Sequence, residues 1–305
     1  MMSARLTLPG PNFFIVGAAK CGTTSLHDYL SRHPDVFMSR LKEPHFFARD
    51  FDIPADWCVR DRQRYLDLFA DAKQRRRVGE ASVWYIYSRT AAAELREFRP
   101  DARIIIMLRD PIDTMYSLHG QFLWNCNDDI LDFEQALAAE ADLARGLRIP
   151  AEAHMPRALL YSQVVDFAPQ VQRYFAAFGR ENVMVILFDD FTRDTAGVYR
   201  RVLEFLGLDA TFQPDFRVVN AAKPITPRLN RFLARRPALR SALHAVVPKT
   251  VIRRINYALP YVVKPVRRSG RIDPRLRSRL MPSFVPKIEA LARLIDRDLS
   301  SWCRA

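Results

Sequence analysis

The stretch Phe13-Phe14-Ile15-Val16-Gly17-Ala18-Ala19-Lys20-Cys21-Gly22-Thr23-Thr24-Ser25-Leu26 decides how this 305-residue chain is read. Its opening residues are apolar without alternation, the pattern of a strand buried on both faces of a parallel sheet. Gly17 and Gly22 bracket a short turn, and lacking a Cβ they let the backbone approach an anion closely. Thr23, Thr24 and Ser25 then open a helix, whose unpaired leading amides and neighbouring hydroxyls donate well to phosphate. A triphosphatase loop carries its lysine directly after the second glycine. Here Thr23 stands in that place and Lys20 sits inside the turn, so the lysine addresses different atoms of the ligand.

A second apolar run, Arg103-Ile104-Ile105-Ile106-Met107-Leu108, ends at Arg109-Asp110-Pro111. In open α/β sheets ligands bind beyond the carboxyl ends of strands, where Arg109 falls. Ser117 lies eight residues on, in a helix expected to begin after Pro111. A guanidinium fork with a serine hydroxyl suits a phosphate; the plainer alternative pairs Arg109 with Asp110 and leaves Ser117 an ordinary helix residue. A triphosphatase would place a magnesium-holding aspartate here. Arg109 in that position indicates positive charge instead of a metal.

These residues lead to a family. Lys20-Cys21-Gly22-Thr23-Thr24-Ser25 resembles the 5′-phosphosulfate loop of sulfotransferases that use 3′-phosphoadenosine 5′-phosphosulfate (PAPS), and Arg109 with Ser117 resembles their 3′-phosphate site. The resemblance continues through Lys42-Glu43-Pro44-His45-Phe46-Phe47, Gly79-Glu80-Ala81-Ser82 and Leu187-Phe188-Asp189-Asp190-Phe191 to Asp298-Leu299-Ser300-Ser301-Trp302, nearly the whole chain. The Glu-x-His-Phe-Phe segment is most similar to the carbohydrate-modifying branch. The resemblance implies transfer of a sulfuryl group from PAPS to an acceptor hydroxyl, releasing PAP (3′-phosphoadenosine 5′-phosphate). Lys20 would stabilise charge on the leaving oxygen, while Gly22, Thr23, Thr24 and Ser25 hold the 5′-phosphate. Arg109 and Ser117 would distinguish a 3′-phosphorylated adenosine from ATP or ADP. Glu43 would be the general base, and His45 would orient it or contact the acceptor. If the segment is extended, alternation puts His45 on the same side as Glu43.

The implied acceptor is a saccharide or glycolipid; lipid and secondary-metabolite hydroxyls stay open. The carbohydrate branch often reads Glu-Lys-Thr-Pro where this chain has Glu80-Ala81-Ser82-Val83, so a lysine that contacts the reacting groups in those relatives is absent. Lys42 is a candidate substitute charge. A plainer reading makes Lys42 and Glu43 a solvated pair, with Phe46 and Phe47 anchoring the loop. Glu80 reads as a residue behind the site or a strand-end charge, and His27 and His33, on or just after the first helix, are weaker candidates for the base that read more simply as partly exposed structural residues. No metal is expected, since the chain has six histidines and neither HExxH nor paired carboxylates.

Strands at about 13–17, 103–108 and 183–188, with amphipathic helices between, predict an α/β fold: a P-loop-like parallel sheet flanked by helices. Tyr161 to Phe178 reads as one such helix, with Val164, Val165, Phe167, Val171, Tyr174 and Phe175 on its apolar side. A single domain over 1–305 is expected, with an α/β core at 1–215 holding the donor site and a basic helical portion at 216–305. The chain carries 47 Lys and Arg against 34 acids, net +13. Residues 217–287 hold eighteen of the basic residues and one acid, Asp273.

That stretch, cut by prolines, has three candidate roles: covering the donor phosphates, binding an anionic acceptor, or lying against anionic lipid. Lys223 and Arg228 are its candidates for reaching the donor. A solvated surface is the plain alternative, and no nucleic-acid module is recognisable. A last helix after Asp273-Pro274 should turn Val285, Ile288, Leu291, Leu294, Ile295 and Leu299 toward the sheet. Cys21, Cys58, Cys126 and Cys303 show neither zinc nor disulfide spacing. With no signal-like segment and no apolar run of spanning length, the expectation is a cytoplasmic, bacterial protein, with peripheral contact to the inner membrane left open. The rivals are a nucleotide kinase or triphosphatase, and a nucleotide-binding protein without catalysis.

Overall fold

A computed structural model describes residues 10–51, 53, 55, 57–73, 75–217 and 272–304. It divides into two compact units. The first takes the described residues of 1–110, 166–220 and 283–304, the second those of 111–165 and 221–282. Lys223 and Arg228, with most of the basic stretch, lie outside the described residues.

The first unit is built on a five-stranded sheet in the order β2-β3-β1-β4-β5. The strands are β1 Phe13–Gly17, β2 Val36–Met38, β3 Arg77–Ala81, β4 Arg103–Leu108 and β5 Val183–Leu187, and every neighbouring pair is parallel. The three apolar runs of the sequence are β1, β4 and β5. Phe13 to Val16 and Ile104 to Leu108 are fully buried, as expected of strands covered on both faces. β2 spans three residues, and β3 carries Gly79 and Glu80, so neither has an apolar run to reveal it. From β1 the chain builds β2 and β3 on one side, then returns to the other for β4 and β5. β1 is therefore the switch strand, and the crevice beyond its carboxyl end is where such sheets bind ligands.

Gly79 is needed for space. A Cβ there would overlap Phe13 Cζ and Met38 Sδ from the two flanking strands. Helix α1, Thr23–Ser31, follows the glycine turn, and α2, Arg62–Asp67, and α3, Ala91–Phe98, come later in the same unit.

The run from Tyr161 to Phe178 is two helices, Tyr161–Val164 and Phe167–Phe178, rather than one. Asp166, with φ −78° and ψ 75°, starts the second. Pro169 explains the break. In the interior of a single helix it would delete the hydrogen bond to the carbonyl four residues back, whereas in a first turn its missing N–H costs nothing.

Asp273 starts the final helix, Pro274–Ile295, as anticipated: its Oδ1 accepts from the amides of Arg275 at 2.8 Å and Leu276 at 3.1 Å. The buried side of this helix is Met281, Phe284, Ile288 and Leu291, while Val285, Leu294 and Ile295 are half-exposed. Beyond it, Leu299 and Trp302 are buried, and Trp302 Nε1 donates to Asp189 Oδ2 at 2.7 Å.

The second unit contains α4, Pro111–Trp124, with Pro111 at its first position, and short helices at Phe133–Ala138 and Glu140–Ala144. Its interior is tied by polar contacts. Tyr161 Oη donates to Asp128 Oδ2 at 2.6 Å, and Asn127 Oδ1 accepts from the amides of His154 and Met155. Arg279 Nη2 donates to Glu134 Oε2 at 2.6 Å. All four cysteines are free thiols. Among the described residues no helix is long and apolar enough to cross a membrane.

The packing at Gly79 gives a direct test. Gly79→Ala should destabilise the protein by about 1–3 kcal/mol through overpacking against Phe13 and Met38. Urea unfolding measures it, and an unchanged midpoint would mean that β2 and β1 do not close on β3 as described.

Candidate functional site

The turn after β1 is shaped by backbone geometry. Gly22 takes a left-handed conformation, φ 90° and ψ 5°, at the N-cap of α1. Gly22 has no side chain with which to cap that helix start, and its carbonyl accepts from the amides of Ser25 at 3.0 Å and Leu26 at 3.2 Å. A Cβ on Gly22 would come within 3.1 Å of the Phe188 ring. Lys20 is also left-handed, φ 67°, and half-buried. Thr23 is buried, while Thr24 and Ser25 are half-buried. At the end of β4, the Arg109 guanidinium lies 5.1 Å from the centroid of the same Phe188 ring. Phe188, the first residue after β5, thus sits between the glycine turn and Arg109. Ser117 is on α4, in the second unit, and half-buried.

Next to this, the carboxyl end of β3 holds the segment carrying Glu43 and His45. The Glu43 amide donates to the Ala81 carbonyl at 2.9 Å, and the His45 amide to Ser82 Oγ at 3.1 Å. Arg60 grips the same segment by three carbonyls, those of His45, Ala48 and Phe51, at 3.0 to 3.3 Å. Phe46 stacks on Tyr65 with centroids 4.3 Å apart, and Phe47 packs against Phe14, Tyr85 and Phe98. The two phenylalanines therefore do anchor the loop, and the charged residues beside them are not a freely solvated pair.

The segment is not extended. Glu43 and His45 are both left-handed, φ 66° and 51°, so strand alternation does not explain their meeting. They meet nonetheless: His45 Nε2 is 3.5 Å from Glu43 Oε2, and Lys42 Nζ contacts Glu43 Oε1. Burial would raise the Glu43 pKa, but the His45 imidazole and the Lys42 ammonium outweigh it and hold the carboxyl down at about 2.

Glu80 behaves oppositely. It is fully buried, and its Oε2 accepts from Tyr65 Oη at 2.8 Å and Tyr85 Oη at 3.0 Å. Burial lifts its pKa to about 7 against hydrogen bonds from Ser82, Tyr65 and Tyr85, and the charge of Glu43 adds to the lift.

His27, on the face of α1 toward this segment, is the residue that sequence reasoning underrated. Burial and the Lys42 charge lower its pKa to about 4, and the Ser39 carbonyl is its hydrogen-bond partner. Arg60, Phe188 and Glu80 also carry more of the site than their sequence setting suggested. Only Phe188 and Glu80 fell inside segments that had drawn notice. His33 is buried against Phe212, away from this cluster.

By fold the protein is an α/β protein with a P-loop-like glycine turn on the switch strand and the Glu43 carboxyl tied to the end of the neighbouring strand. Residues 10–224 match the sulfotransferase domain, and the chain belongs to that family. It is similar to a sulfotransferase from Alicyclobacillus acidocaldarius: 33% identity, TM-score 0.72, covering 96% of this chain and 99% of that one. It is also similar to human carbohydrate sulfotransferase 15, 28% identical over 250 residues, covering 65% of this chain and 44% of the relative. Mouse heparan sulfate glucosamine 3-O-sulfotransferase 3A1 is 27% identical over 198 residues, covering 65% and 46%. The chain spans about half the length of these curated relatives.

The raised Glu80 pKa has a consequence for stability. A carboxyl lifted from 4.5 to about 7 on folding gives stability that is fully present below pH 4.5 and lost as pH rises through 7. Glu80→Gln removes that loss while keeping an acceptor for the two tyrosines. The variant should melt above the parent at pH 8, by up to roughly 3 kcal/mol, with the difference closing by pH 5. Parallel melting temperatures at both pH values would mean that Glu80 is ionised in the folded protein.

Proposed function

We propose that the protein transfers a sulfuryl group from PAPS to a hydroxyl of a saccharide or glycolipid acceptor, releasing PAP. The observation that carries this is the ionised Glu43, held by Lys42 and His45 and tied to the end of β3 beside the strand that bears the Lys20 turn. The donor fits the residues present. The turn offers a helix start with Thr23, Thr24 and Ser25 on it, a Cβ at Gly22 would crowd the Phe188 ring, and Arg109 stands at the neighbouring strand end. Gly22 and the three hydroxyl residues hold the 5′-phosphate, and Arg109 reads the 3′-phosphate.

In the reaction the bond from sulfur to the donor's bridging oxygen breaks as a bond to the acceptor oxygen forms. Lys20 stabilises charge on the oxygen that leaves, an interaction strongest in the transition state. Glu43 takes the acceptor's proton. A carboxylate held at about 2 is a weak base, so Lys42 must loosen its hold as the site fills; the sulfonate is the anion that can draw it away. Lys42 thereby supplies positive charge in a site where Ala81 stands in place of a lysine. The saccharide class is supported by the Glu-x-His-Phe-Phe segment and by relatives named for carbohydrate and heparan sulfate transfer.

Transfer of labelled sulfate from PAPS into saccharide, lipid and small-molecule fractions tests the reading. Label should enter the saccharide or glycolipid fraction, and magnesium-dependent ATP turnover in its place would overturn it. Glu43→Gln should cut transfer by roughly 10²-fold or more and leave PAP affinity intact; near-normal turnover would move the base elsewhere. Arg109→Ala should weaken PAP by about 1.5–3 kcal/mol and barely affect ADP. Equal losses for both nucleotides in calorimetry would remove Arg109 from the 3′-phosphate.

A further inference from the structure

His27 has no role in the reaction as set out above, yet its Nε2 is buried and unpartnered among the described residues, as are His45 Nδ1 and Glu80 Oε1. It lies on α1, five residues beyond Gly22. The Ser39 carbonyl takes one ring nitrogen, and Nε2 is buried without a hydrogen-bond partner among the described residues. The charged groups around the ring are Lys42 and Glu43 from the facing segment and Asp28 from its own helix. Burial and Lys42 keep the ring neutral at physiological pH.

A buried acceptor left unpaired costs about 1–3 kcal/mol. The Lys42 ammonium donates to Glu43 and not to this nitrogen. What the site lacks is a neutral O–H reaching in beside Glu43.

We infer that the His27 ring keeps its proton on Nδ1, and that Nε2, the buried unpartnered nitrogen, accepts a hydrogen bond from a second hydroxyl of the acceptor, adjacent to the hydroxyl that gives its proton to Glu43. The acceptor is then a polyol of the saccharide class, and a molecule with one isolated hydroxyl is a poor substitute. This inference rests on the sulfuryl-transfer reading. His27 is an acceptor-binding residue and takes no proton.

The test uses the full chain, labelled PAPS, and two probe sets: methyl glycosides and heparan-type oligosaccharides, against cyclohexanol and 1-octanol. Wild type should transfer to a saccharide probe in preference to either alcohol. His27→Phe should raise the saccharide KM roughly tenfold, with a smaller change in kcat and unchanged PAP affinity. His27→Gln, which keeps an acceptor atom near the Nε2 position, should recover much of the loss and guards against a folding defect in the first variant. In ¹⁵N NMR, His27 should show the Nδ1–H tautomer, with Nε2 unprotonated from pH 5 to 8 and shifted when PAP and the saccharide are both bound. The opposite tautomer, an unchanged saccharide KM in His27→Phe, or transfer to the simple alcohols alone would each overturn the inference. Transfer to no saccharide, with PAP still bound tightly, would also overturn it while leaving the donor site standing. Failure of wild type to bind PAP would remove the underlying reading itself.

Discussion

The segment from Ser39 to Ala48 is held in a conformation its own residues disfavour, and the site depends on that. Two non-glycine residues, Glu43 and His45, are left-handed on either side of Pro44, each at a cost of about 1–2 kcal/mol. Hydrogen bonds from both amides to the end of β3, three carbonyls on Arg60 and two buried phenylalanine rings offset the cost. The geometry is thereby fixed to the sheet rather than to the loop. Through Tyr65 and Tyr85 the same aromatic cluster reaches Glu80, so the residues that shape the loop also set the electrostatics behind it.

Two carboxylates in one neighbourhood are pushed apart in opposite directions. Glu43 is ionised because a cation and an imidazole contact it, and Glu80 resists ionisation because it is buried with only hydroxyl partners. Such a divergence marks which of two acids is able to serve as a charged group near pH 7. Each influences the other: the charge of Glu43 adds to the lift on Glu80. Burial thus lowers the negative charge that Glu80 adds beside Glu43 near pH 7.

Much of this was legible in the sequence, for reasons that differ by residue. β1, β4 and β5 showed themselves because strands buried on both faces read as continuous apolar runs. β3 did not, because its defining features are a glycine under an aromatic ring and a buried acid. The meeting of Glu43 and His45 was anticipated from strand alternation, but it arises from two left-handed residues flanking a proline. The break at Asp166 was masked by an apolar pattern that continues through it, although Pro169 carried the signal. His27 had no sequence cue, since what distinguishes it is a carbonyl twelve residues away and a pair of charges on a folded-back loop.

The arrangement of the strands bears on why base and leaving-group cation come from different loops. In-line transfer places the proposed base and the proposed cation on opposite sides of the sulfur. β1 and β3 are hydrogen-bonded neighbours, with Ile15 facing Ala81, so their carboxyl ends stand about 4.8 Å apart. Lys20 follows three residues after the end of β1, and Glu43 is bonded to the last residue of β3. Loops rising from adjacent parallel strands can flank a small group without any movement of the sheet. α1, starting at the first loop, brings His27 alongside the second. The switch-strand topology thus lets the proposed donor turn, base and acceptor contact come from one helix and the loops of two adjacent strands.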